Sequence, residues 1–224
     1  MKRATLVMAA LALLLGGVGQ ARAGILYANG SLNGQNQALQ IGNSHQISNS
    51  FTLTQTSTLT SVEVGLWVDH GATPTSLVWT ISTQPAGNPP PSYVPSASIL
   101  ASGTASGSSL TNTLKISDNS FTSDVYDTDF SLSVTLNPGT YYLSLGPNST
   151  ASDSGGIFWD DNNGPSVAYS STVGNLYGTL GTGSNSEYFE IFGSPNASAT
   201  PEPASLTLLG IGAICSLGYG WRRR

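Results

Sequence analysis

Apolar and polar residues alternate with a period of two through most of the interior of the chain. Val62, Val64, Leu66 and Val68 share one face of a stretch spanning 59–68, with Trp67 on the opposite face. Leu77, Trp79 and Ile81 repeat the pattern, and Phe130, Leu132, Val134 and Leu136 alternate with Ser131, Ser133 and Thr135. Such a period sends successive side chains to opposite sides, so each stretch reads as a half-buried strand. A similar alternation opens at Phe51, residues 140–145 turn Tyr141, Leu143 and Leu145 inward, and a last strand is expected over 187–192. Asn137-Pro138-Gly139 supplies a turn, proline presetting φ at one position and glycine accepting positive φ at the next. The sequence therefore predicts a hairpin joining 130–136 to 140–145, with a loop longer than two residues.

Ser, Thr, Asn and Gly fill the intervals, and Asn88-Pro89-Pro90-Pro91 marks an irregular exposed loop. No amphipathic window of helical period interrupts the strands. Short alternating strands separated by turn residues predict an all-β fold, an antiparallel β-sandwich that could take jelly-roll form.

The two ends break this pattern. Lys2 and Arg3 precede an apolar run over 6–15, and Ala21-Arg22-Ala23 follows with small residues at the positions read by signal peptidase. The run is too short to cross a bilayer, which takes roughly 20 residues. It predicts a signal peptide over 1–23, cleaved between Ala23 and Gly24. At the other end, 206–221 is uncharged and apolar, edged by Tyr219 and Trp221 and closed by Arg222, Arg223 and Arg224. Interfacial aromatics and a terminal basic cluster fit a marginal transmembrane helix whose arginines stay on the cytoplasmic side.

Pro201-Glu202-Pro203 stands directly before that segment, and two prolines around one glutamate favour an extended stretch with few backbone donors. The ordered trio of tripeptide, apolar helix and arginine cluster resembles the PEP-CTERM sorting signal of Gram-negative bacteria. The resemblance covers about the last 25 of the 224 residues, with Thr200 where valine is common. It implies recognition by exosortase, a membrane-embedded cysteine protease-transpeptidase that removes the helix and transfers the protein. Residues 24–193 then form the exported β domain, 194–199 a polar linker, and 200–224 the sorting signal.

Charge narrows the partners. Six of the seven basic residues lie in the two terminal signals, leaving Lys115 alone against eleven acids, a net charge of about −10 in the domain. Such a surface neutralises no phosphates, which argues against nucleic acid and anionic headgroups. The single cysteine, Cys215, falls in the C-terminal apolar segment, so the exported domain has neither a disulfide nor a thiol nucleophile.

Candidate chemistry is sparse. His45 and His70 are the only histidines, and no nucleophile elbow, zinc-protease helix or phosphate loop occurs. Asp118, Asp124, Asp127 and Asp129 form one acidic group, and Asp160 and Asp161 with Asn162 and Asn163 form another. Calcium takes such oxygens, although neither group has EF-hand spacing. A paired-carboxylate glycosidase would need two acids at a set separation, which the sequence does not single out. Trp159, beside Asp160 in a Gly-rich loop, could stack on a sugar with Asp160 and Asp161 alongside, or could pack in the core. Asn29, Asn148 and Asn196 each head an Asn-x-Ser/Thr triplet, of a kind that arises by chance in so Ser-rich a chain.

The expectation is a non-enzymatic exported protein with no catalytic residues and no cofactor or metal, calcium being the one cation its acidic groups would suit. Its partners would be signal peptidase, exosortase, the inner membrane transiently and exopolysaccharide. It would end at the cell surface or in the extracellular matrix. The alternative is a carbohydrate- or calcium-binding module.

Overall fold

The alternating stretches form strands in the computed structural model, which describes residues 23–34, 38–86, 94–117, 123–152, 156–172 and 186–196. The expected signal peptide up to Arg22, the C-terminal helix over 206–221 and the Pro-Glu-Pro tripeptide lie outside them. Among the described residues no helix is long and apolar enough to cross a membrane.

Two mostly antiparallel sheets face each other. The first is built on β4 (Ser57–Asp69), whose thirteen residues pair along one edge with β8 (Ser123–Leu136). β7 (Leu110–Ser117) lies beyond β8. The other edge of β4 is shared: β14 (Phe189–Pro195) takes residues from Ser57 to Val64, and β11 (Ile157–Asn162) takes Leu66 to Val68. β1 (Gly24–Ala28) adds to β14, while β2 (Ala38–Ile41) and β13 (Ser186–Glu187) add to β11. The second sheet runs β6 (Ile99–Ser106), β5 (Pro74–Ser82), β9 (Gly139–Leu145), β3 (His45–Leu53) and β12 (Ala168–Thr172). β10 (Thr150–Ala151) pairs with β5 at Ser76 and Pro74.

The inward faces read from the sequence are the ones that meet. Val62, Val64, Leu66, Phe130 and Ile191 of the first sheet share one apolar core with Phe51, Leu77, Ile81, Leu143 and Leu145 of the second. Aromatic rings bridge the layers, with Trp79 and Phe130 centred 6.0 Å apart and Tyr27 and Phe51 6.1 Å apart. Removing these side chains from water supplies about 1.5–3 kcal/mol for each one fully buried, which makes the layer contact the main source of stability.

The expected hairpin at Asn137-Pro138-Gly139 does not form. β8 pairs with β4 and β7, whereas β9 pairs with β3 and β5, so the turn carries the chain from one sheet to the other. Both strands keep the predicted inward faces, since facing layers bury the same alternation as adjacent strands. Tyr141 secures the crossing by donating its hydroxyl to the carbonyl of Asn137 at 3.0 Å. The last predicted strand is also divided, into β13 and β14 with Tyr188 between them.

Candidate functional site

β11 is where the predicted site residues meet the fold, and it is a strand rather than a Gly-rich loop. Alternation along it separates the three candidates. Trp159 and Asp161 point between the sheets, and Asp160 points to the outer face of the first sheet, the side that carries Trp67.

Trp159 is fully buried, its ring 6.0 Å from Phe189 and its indole N–H donated to the carbonyl of Tyr188 at 2.8 Å. Enclosed in this way it packs the core, and its ring faces are not open for stacking on a sugar. Trp67 is half-buried and gives its indole N–H to Asp160 Oδ1 at 2.6 Å.

Asp160 is the anchor of a strap. The backbone N–H groups of Asn33 and Gly34 donate to its Oδ2 and Oδ1 at 3.0 and 3.1 Å, and Asn33 Nδ2 donates to the Asp161 carbonyl at 2.8 Å. These bonds hold the segment after β1 against the outer face. Gly65 provides the floor: a Cβ there would lie 2.4 Å from Leu32 Cδ1 and 2.9 Å from Asp160 Cβ. Burial pushes the Asp160 carboxyl above its usual range despite its three donors.

Asp161 stands directly opposite Glu187 across the β11–β13 pair, so both carboxylates project from the same face. Glu187 is 0% exposed and Asp161 4%. Asn49 of the second sheet donates its Nδ2 to Glu187 Oε2 and accepts from the Glu187 N–H at 3.3 Å and from Ser166 Oγ at 2.8 Å. Behind this pair, Asn29 Nδ2 donates to the Glu187 carbonyl at 2.6 Å, and Ser186 Oγ donates to Asn162 Oδ1 at 2.7 Å. Burial drives Glu187 well above the carboxylate range, helped by the charges of Asp161 and Asp160 and opposed by the Asn49 bond. Burial and then the Asp160 charge push Asp161 up to about 6. Asp161 Oδ1 and Glu187 Oε1 have no hydrogen-bond partner.

The other acidic group is divided by the same alternation. Asp124 faces the end of the core, where Gly71 N–H and Ser117 Oγ each donate to it at 2.8 Å and His70 Nδ1 lies 2.9 Å away. Desolvation is the largest single influence on Asp124, yet these three partners together outweigh it and hold its carboxyl below the usual range. His70, in the turn after β4, is thus a partner of Asp124. Asp127 and Asp129 lie on the outer face, and Asp118 is outside the described residues. Glu190, Glu63 and Asp129 form a row across β14, β4 and β8, with Lys115 2.9 Å from Asp127 beside them. Burial pushes Glu63 up to about 7, against the bond it accepts from the Tyr188 hydroxyl and with the help of Asp127 and Asp129.

Among the described residues, no three His, Cys, Asp or Glu side chains converge as a metal cluster. Glu187, Asn49 and Asn29 were not legible as site residues, because their juxtaposition depends on strand register. Asn29 is buried with its amide fully engaged, so its Asn-x-Ser triplet presents no free acceptor in the folded domain.

At the C-terminus, residues 199–224 match the family model of the PEP-CTERM protein-sorting motif. No curated protein matches the chain. The match covers the tail alone, at the tripeptide, apolar segment and arginines named above. The chain carries this sorting motif, which implies export and processing at a membrane by exosortase.

Proposed function

We propose that this chain, bearing a PEP-CTERM motif, is a non-enzymatic protein of the cell envelope or exopolysaccharide matrix. Exosortase would release it from the inner membrane after signal peptidase has cut between Ala23 and Gly24. The observation that carries the reading is the match over 199–224, which spans the recognition tripeptide Pro201, Glu202 and Pro203 and the basic stop Arg222, Arg223 and Arg224.

The fold supplies supporting detail. β14 ends at Pro195, and Asn196 is still bonded to the domain through its N–H to the Thr56 carbonyl at 2.8 Å. The tripeptide starts five residues beyond Asn196 in the sequence, a length of chain that can span at most about 18 Å. The processing enzyme therefore works close to the domain. The acidic domain is repelled by anionic headgroups, so membrane residence depends on the tail, and cutting the tail releases the protein.

A structural role is supported by how the carboxylates are used. Asp160 holds a strap and Asp124 ties a loop to the end of β7, tasks that occupy their oxygens in the fold. The test is Glu202→Ala in the producing cells, followed by fractionation and mass spectrometry of the product. Accumulation of a membrane-bound chain that retains residues 204–224 is expected, and wild-type processing of the variant would overturn the reading.

A further inference from the structure

We propose that Asp161 and Glu187 form a binding site for a hard divalent cation of calcium's class, buried between the two sheets. The register places the two side chains on one face of neighbouring strands, and each keeps one carboxylate oxygen without a partner. Leaving one buried carboxylate oxygen unsatisfied is costly, and two facing each other add mutual repulsion. The surrounding groups do not relieve this. Asn49 already gives its Nδ2 to the other oxygen of Glu187, and its amide orientation is fixed because its Oδ1 accepts from the Glu187 N–H and from Ser166. Lys115, the lysine of the β domain, is engaged with Asp127 on the outer face.

The donor set selects the ion. Two carboxylates stand beside the Asn49 amide, without a thiol or imidazole among the described residues grouped with them, which suits a hard cation. Magnesium gives up water reluctantly and demands octahedral geometry, whereas calcium accepts irregular oxygen sites of six to eight ligands. A pair of carboxylates gives a weak site, in the range of roughly 10⁻⁴ to 10⁻³ M typical of extracellular modules. Of the adjacent Asp160 and Asp161, Asp161 alone belongs to this site, because Asp160 faces the strap.

Trp159 provides a reporter. It lies two residues from Asp161 on the same face of β11, roughly 7 Å along the strand. Terbium, a calcium surrogate, should show luminescence sensitised by indole excitation when added to the full-length protein in detergent. Calcium should displace it, and magnesium at the same concentration should not. Glu187→Gln and Asp161→Asn should each weaken displacement at least tenfold, while Glu63→Gln on the outer face should leave it unchanged. For the wild type alone, millimolar calcium should raise Tm over a chelated sample by about 2–5 °C. Emission that calcium does not displace, emission lost in Glu63→Gln but kept in Glu187→Gln, or an unchanged wild-type Tm would overturn the proposal.

Discussion

Replacing Asp160 with alanine removes the acceptor for three N–H donors at once: the backbone of Asn33 and Gly34 and the indole of Trp67. Hydrogen bonds to a charged acceptor are worth about 1.5–3 kcal/mol each, so the three sum to about 4.5–9 kcal/mol before offsets. Two offsets reduce that. Burial already penalises the Asp160 charge enough to raise its pKa, so its removal returns part of the loss. The strap can also lift and let water satisfy Asn33 and Gly34, which limits the loss to the free energy of docking it. The net expectation is about 3 kcal/mol for Asp160→Ala. Asp160→Asn keeps a carbonyl for Trp67 and Gly34 but sets an NH₂ against the Asn33 N–H, and should lose about 1–1.5 kcal/mol. Urea unfolding of both variants measures these values, and hydrogen exchange at residues 33 and 34 shows whether the strap has lifted. For Asp160→Ala the corresponding fall in Tm is about 6–12 °C. A loss below about 0.5 kcal/mol, the range of ordinary surface changes, would refute the strap account. So would an asparagine variant less stable than the alanine one.

Glu63 has a folded pKa near 7 against an ordinary 4.5, so the native state binds its proton more tightly than the unfolded chain. Its contribution is then fully present below pH 4.5 and is lost as pH rises toward 7. Urea unfolding should show Glu63→Gln flattening that decline relative to wild type, and identical pH profiles would contradict the assignment. Gly193→Ala would place a Cβ 2.1 Å from the Thr58 carbonyl oxygen and 3.0 Å from Leu59 Cα, backbone that cannot yield without breaking the β14–β4 pairing. It should lower stability by at least about 3 kcal/mol, read as a large fall in Tm or in folded yield. Tyr141→Phe removes the bond to Asn137 at the sheet crossing and should lose about 1 kcal/mol by thermal unfolding.

The alternation of Val62 to Val68, and of Phe130 to Leu136, determined from sequence alone that these two stretches form strands and which side of each is buried. The same reading placed the sorting signal, because its parts are consecutive residues whose charge and hydropathy act where they stand. Neighbours were a different matter. β8 and β9 carry the alternation of a hairpin yet belong to opposite sheets, and Asp160 and Asp161 are adjacent in sequence yet serve a strap and a buried pair respectively. Glu187 reaches Asp161 only through the register of β13 on β11. Side-chain period records which face avoids water, whereas strands join through backbone N–H and C=O groups common to nearly every residue. Strand partners, and with them the buried carboxylate pair, were therefore decided by the tertiary packing of the two sheets.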